Sequence, residues 1–196
     1  MNKLSCGPRI YRWVFSIAFL FVVSSKASAQ FYAFKVDALG LLTTTLNVEA
    51  SIVIHNQWSL HLPVKINPWK LNGKLYQYAT VMPGVRYWFI DSYSRGWFIG
   101  ANAVVAVYNF TGLVGNNINY FSSDHRYKGW GYGGGVSGGY SFPLAKRWNI
   151  EVEAGIANVY LDHDIYHGAS ESRKIAYQKG GFLVPGKIGV NIVYLF

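Results

Sequence analysis

From residue 33 to the last residue, apolar side chains recur at every second position in one stretch after another, and this pattern narrows the fold more than any other feature of the chain. A period of two places alternate residues on opposite faces of a β-strand. Eight such stretches can be marked, at 33–42, 46–55, 58–67, 77–90, 96–108, 130–142, 148–160 and 183–196. In the second, Leu46, Val48, Ala50, Ile52 and Ile54 oppose Asn47, Glu49, Ser51 and His55. In the third, Trp58, Leu60, Leu62, Val64 and Ile66 oppose Ser59, His61, Lys65 and Asn67, and in the seventh Trp148, Ile150, Val152, Ala154 and Ile156 oppose Asn149, Glu151 and Glu153. The last stretch sets Ile188, Val190, Ile192, Tyr194 and Phe196 against Lys187, Gly189, Asn191, Val193 and Leu195. An apolar strand left at a sheet edge is an aggregation hazard, and closure into a barrel removes the edge. The expected fold is all-β: an eight-stranded antiparallel up-and-down barrel.

Alternation alone is compatible with a transmembrane barrel, apolar face outward, or with a soluble barrel or sandwich, apolar face inward. Charged residues make up 14% of the chain, against about 25% in soluble globular domains. The mixed face is crowded with small residues, Gly131, Gly133, Gly135, Ser137 and Gly139 among them, which suit a narrow lumen. Trp58, Phe89, Trp97, Phe142, Trp148 and Phe196 cluster where the short connections fall, as in an aromatic girdle at a bilayer interface. Strands of 9–11 residues match a tilted membrane crossing. The transmembrane barrel is therefore expected, with Tyr194 and Phe196 as an assembly signal presented by the final strand to the barrel-assembly machinery.

The N-terminal segment agrees with that location. Lys3, Arg9 and Arg12 precede an apolar stretch from Trp13 to Val23, Ala27 and Ala29 frame a cleavage site before Gln30, and residues 1–29 contain no acid. This is the pattern of a secretory signal peptide, too short an apolar run for a membrane-spanning helix of about 20 residues. Cleavage would leave residues 30–196 as the barrel domain, without Cys6 and so without a disulfide or thiolate metal site. Removal of Lys3, Arg9, Arg12 and Lys26 would leave 14 basic and nine acidic residues, a net charge of +5. That charge is scattered, which argues against nucleic acid as a partner.

The connections sort into short ones, at 55–57, 91–96 and 143–147, and long ones, at 68–76, 109–129 and 161–182. Their alternation suits short periplasmic turns and longer outer loops. Thr43-Thr44-Thr45 is a short connection on the outer side and makes the first hairpin the exception.

On the mixed face the alternation turns Lys35, Asp37, Glu49, Lys65, Arg86, Glu151, Glu153 and Lys187 inward. Four bases there face four acids, and paired charges can be held where isolated ones would be costly. An eight-stranded interior is filled by side chains, so a structural lattice is expected; a gated ion path would need water to enter it. Ser122-Ser123-Asp124-His125 carries nucleophile, acid and base types but as sequence neighbours, which seldom form a working triad. Asp162, His163, Asp164 and His167 carry metal-ligating types in what reads as a hydrated loop without helical pattern. Gly133 to Gly135 lacks the lysine and helix of a phosphate loop. No catalytic residue, cofactor or metal is expected.

The chain resembles small outer-membrane barrels of Bacteroidetes-type bacteria, grouped as a domain of unknown function, over most of 31–196. The stretches that carry the likeness are 42–49, Asn67-Pro68-Trp69, Pro83-Gly84-Val85-Arg86-Tyr87-Trp88-Phe89, 127–133, Lys146-Arg147-Trp148-Asn149 and Ile192-Val193-Tyr194-Leu195-Phe196. The resemblance implies an eight-stranded barrel integral to the outer membrane and supplies no catalytic residues. Many such barrels have a cysteine pair in the last long loop, where Tyr166-His167-Gly168 runs on without one. The expected role is that of a non-enzymatic envelope protein contacting outer-membrane lipid, with an envelope protein or polysaccharide as a possible partner. Two alternatives stand beside it. One is an outer-membrane enzyme acting on lipid or peptide. The other is a surface receptor or assembly partner using Trp69, Tyr76, Tyr120, Phe121 and Tyr166.

Overall fold

A computed structural model of the protein describes residues 32–71, 74–90, 93–111, 125–167 and 173–196; the expected signal segment 1–29 lies outside them. The alternating stretches form strands β1 (Tyr32–Asp37), β2 (Leu46–His55), β3 (Trp58–Asn67), β4 (Lys70–Leu71), β5 (Lys74–Val81), β6 (Gly84–Trp88), β7 (Gly96–Thr111), β8 (His125–Pro143), β9 (Trp148–His167) and β10 (Lys174–Leu195), with one short helix, α1 (Ala38–Leu42), after β1. All the pairings are antiparallel, and those of β1 with β10 and of β2 with β3 close nine of the strands into a ring. β5 and β6 lie end to end, each between β3 and β7, so that together they fill one of eight positions.

The single stretch expected at 77–90 is thus split, because Pro83 has no N–H for the ladder and interrupts pairing there. The break is bridged by Met82 N–H donating to the Pro63 carbonyl at 3.0 Å and Ala103 N–H donating to the Pro83 carbonyl at 2.9 Å. The stretch expected at 33–42 also stops early. Asp37 turns its side chain back to accept from Leu39 N–H at 3.1 Å, capping α1, and the Asn47 amide donates to the Asp37 carbonyl. A local cap of this kind competes with strand extension. The last three strands are far longer than expected. β8 begins at His125, β9 continues to His167 and β10 starts at Lys174, so both ends of the segment read as a loop at 109–129, and most of that at 161–182, are paired strand, in register from His125 opposite His167 onward.

The two faces differ as alternation requires. Outward positions such as Leu60, Ile99, Val107, Val136, Ile156 and Ile192 are exposed, while inward Lys35, Ser59, Arg86, Ser141 and Glu151 are at most 1% accessible. Large apolar side chains therefore coat the outside, and the inside is layered. Trp88 and Phe98, fully buried with ring centres 4.9 Å apart, close the end at the short turns. Above them comes a charged layer, and beyond it Met82, Val104, Ala157 and Val159 form a small apolar cluster. Outward aromatics gather around the short-turn end as well: Trp148 and Phe196 both touch Tyr194, with centroids 4.9 Å apart in each pair, and Phe196 meets Phe34 edge-on.

Candidate functional site

The chemistry of this molecule is concentrated in the charged layer. Arg86, on β6, reaches across the interior with its guanidinium 2.7 Å from Glu151 Oε1, 2.5 Å from Glu153 Oε2 and 3.2 Å from Glu49 Oε1. Its guanidinium also lies 4.6 Å above the Phe98 ring. Lys35, on β1, donates to both oxygens of Glu151 at 2.9 and 3.1 Å and stands 3.3 Å from Glu49. Lys187, on β10, lies 3.4 Å from Glu153. Three cations thus interleave with three carboxylates inside the ring. Each carboxylate has a cation within ion-pair distance, the condition under which buried charges are tolerated.

Lys65 and Asp37 form a separate pair, 3.0 Å apart, with Asp37 also serving as the cap of α1. The eight inward-facing charges therefore fall into a six-member cluster and a two-member one. His61, whose parity on β3 already set it inward, joins the larger cluster: its Nδ1 is 2.6 Å from Glu49 Oε1 and its Nε2 2.7 Å from the Ser59 hydroxyl. Ser59 in turn accepts from the Trp88 indole at 2.9 Å, which ties the charged layer to the aromatic floor. A second polar knot, in which the Asn149 amide donates to the Ser94 hydroxyl at 3.1 Å and the Ser141 hydroxyl donates to the Ser94 carbonyl at 2.8 Å, seals the same end. Ser94 and Ser141 gave no signal as single residues, since only closure of the ring brings them together.

The proteins described as of unknown function under the heading DUF3575 match residues 15–196 of this chain. The chain belongs to the DUF3575 family. The match takes in every strand and the whole charge cluster. No curated protein and no solved structure matches.

In this DUF3575 protein the other candidate residues are dispersed. Asp162 and Asp164 point out of β9 while His163 points in and is 1% accessible, so they cannot converge on one ion as a loop could have allowed. Asp162 and Asp164 pair instead with Lys179 at 3.4 Å and Lys174 at 2.5 Å. The Lys174 amine, outside the ring and hydrogen-bonded to Asp164, is held above its ordinary range. His163 Nδ1 is 2.8 Å from the Tyr108 hydroxyl. Among the described residues no group of three His, Cys, Asp or Glu side chains is placed to hold a metal. Ser122, Ser123, Asp124, Tyr120 and Phe121 lie outside the described residues; His125 stands opposite His167, ring centres 5.8 Å apart.

Two of the three remaining aromatics are not in loops. Tyr76 belongs to β5, and Tyr166 to β9 under the Arg126 guanidinium at 4.5 Å. Trp69 is half exposed and donates its indole N–H to the Thr44 carbonyl, fastening the β3–β4 turn to the end of α1. Gly133 has a structural duty: a Cβ there would run into the Asn158 carbonyl oxygen of β9.

Proposed function

We propose that this protein is a non-enzymatic transmembrane β-barrel of the bacterial outer membrane, exported by a cleaved signal peptide over residues 1–29 and closed by its own polar lumen. The observation that carries the proposal is the inversion of its faces: Lys35, Arg86 and Glu151 are buried to 1% or less, while Leu60, Ile99, Val107, Ile156 and Ile192 on the other face are each more than 40% exposed. In water such an exterior would be a liability, and in hydrocarbon it is the favourable surface. At about 3.4 Å per residue and a tilt near 40°, the outward run from Trp148 to Tyr160 rises roughly 30 Å, the thickness of a bilayer core. Among the described residues no helix is long and apolar enough to cross a membrane, so crossing would be by strands.

The interior supports a structural role rather than a catalytic or conducting one. Every carboxylate of the charged layer is in contact with a cation, and although Glu49 is linked through His61 to the Ser59 hydroxyl, that hydroxyl is fully buried and accepts from the Trp88 indole, which leaves no room for a substrate carbonyl beside it. Tyr194 and Phe196, in edge contact at the outer surface of the last strand, suit the role of an assembly signal read by the barrel-assembly machinery. The tall walls of β7 to β10 would stand above the bilayer and offer surface to an envelope protein or polysaccharide. Sucrose-gradient fractionation of the expressed full chain, with gel mobility compared before and after boiling, tests the proposal: the folded band should sediment with outer membranes and shift on heating. Recovery in the soluble fraction would count against it.

A further inference from the structure

The wall of the ring is uneven, and the unevenness leads to a cavity. β1 has six residues and β10 has 22. Their pairing runs only from Asp37 opposite Asn191 to Ala33 opposite Leu195. On that side the edge of β10 from Lys174 to Val190 has no strand partner among the described residues, and α1 lies against its lower part. Among the described residues the ring therefore shows a lateral gap between β10 and the β2–β3 hairpin, just above the charged layer.

Behind this gap the interior is mainly apolar, with Tyr78, Thr80 and Tyr108 as its polar margin. A cavity of about 430 Å³ is lined by Met82, Val104, Phe110, Val159, Leu161 and Val184, all on inward positions. β8 adds no side chain at this level, because its inward positions are Gly129, Gly131, Gly133 and Gly135; Gly131 and Gly133 stand between Ala106 and Leu161 and between Val104 and Val159, and β9 packs directly over them. The same cavity is bordered by Pro185, Gly186 and Ile188, at the bulge of β10 where the register shifts. Ile188 is on the outer face and 61% exposed, so the cavity reaches the outside across the open edge of the strand. Lys65 stands at its border.

The volume is that of a small-molecule site, about 300–1,000 Å³, and the lining tells which chemistry fits. A buried water needs two to four polar partners, which the wall of Met82, Val104, Val159, Leu161 and Val184 does not offer; of the polar groups at the margin, Tyr108, Tyr78 and Lys65 are already bonded to His163, Thr45 and Asp37, which leaves the Thr80 hydroxyl. A polar solute would likewise lose its hydration without compensation. We propose that the cavity binds one long apolar chain, the acyl chain of a lipid, which enters sideways from the bilayer between β10 and the β2–β3 hairpin. The cavity stands on its own geometry; the bilayer as source rests on the membrane assignment made above.

Met82 provides the test, because it is one of two methionines in the chain, the other being Met1, and it sits in the cavity wall. Full-length protein exported by cells, labelled with methyl-¹³C methionine and placed in lipid nanodiscs, is titrated with palmitate carrying a nitroxide near the end of its chain. The Met82 methyl signal should broaden several-fold more in wild type than in Ala106→Trp, which fills the cavity. Val107→Trp, adding the same bulk on the outer face of β7, should behave as wild type. Equal broadening in all three proteins would place the chain outside the wall and overturn the proposal. Should Ala106→Trp fail to shift on heating as a folded protein does, Val104→Phe takes its place. A parallel titration with a nitroxide-labelled palmitoyl lysophospholipid separates the two sources: broadening by either upholds the acyl site, and the stronger probe names the source. Flotation with vesicles reads the membrane assignment separately. Broadening of Met82 in a chain that stays soluble would uphold the cavity and overturn membrane residence.

Discussion

Arg86 is the residue on which the charged layer turns, since its one guanidinium touches Glu49, Glu151 and Glu153. Arg86→Met leaves these carboxylates with only Lys35 and Lys187, and removal of one partner from a buried ion network costs about 3–5 kcal/mol. The expected outcome is a fall in the midpoint of heat-induced loss of the folded gel band at neutral pH. Arg86→Lys should restore only part of the loss, because an ammonium cannot span three carboxylates as the planar fork does. An unchanged midpoint for Arg86→Met would show that water, not arginine, solvates the acids. Gly133 makes a sharper case of backbone proximity. Gly133→Val should abolish the folded band, its Cβ colliding with the Asn158 carbonyl, whereas Gly134→Ala, which would have its nearest neighbour at 3.5 Å, should fold as wild type does.

At the scale of elements, β1 and α1 depend on Asp37, which caps the helix and pairs with Lys65. Asp37→Asn keeps a capping side chain and Asp37→Ala does not, and loss of a cap costs about 1 kcal/mol. Asp37→Ala should therefore lower thermal stability more than Asp37→Asn does, and the same heat-shift measurement separates them. The closing strand depends on its end. Phe196 packs against Phe34 of β1 and Tyr194 of β10 at the seam. Phe196→Asp should reduce the yield of folded protein in the membrane fraction more than Trp69→Ala, an exposed change at the β3–β4 turn. Equal yields would sink the assembly role given to the terminal aromatics.

For the whole molecule the decisive question is whether the interior conducts. A ring of eight strand positions encloses a space that side chains can fill, and here an aromatic floor of Trp88 and Phe98 underlies interlocked charges. Planar-bilayer recording on the purified protein should show no steady single-channel steps. Stable steps altered by Glu151→Gln would contradict a closed interior. An acyl chain reaching the cavity from the side needs no axial path, so the lipid site and a non-conducting barrel are compatible.

What the sequence determined by itself is parity. Alternation tells that Trp58, Leu60 and Ile156 share the apolar face and that Lys35, Glu49, His61, Arg86 and Glu151 share the other, because the side-chain period of a strand is a local property of the backbone. Where parity was masked, the strands were missed: 161–167 and 174–182 carry Asp162, His163, Asp164, Gln178 and Lys179 in a run that reads as a polar loop, and only pairing with β8 and with each other makes them strand. The tertiary structure alone decided who meets whom. Arg86 and Glu151 are 65 residues apart, and their contact follows from closure of the ring, as does the knot of Ser94, Ser141 and Asn149. The gap above β1 is of the same kind. It arises from a mismatch in length between β1 and β10, strands that are distant in sequence, and a local pattern has no means of recording how far one strand will outrun the neighbour that closure assigns to it.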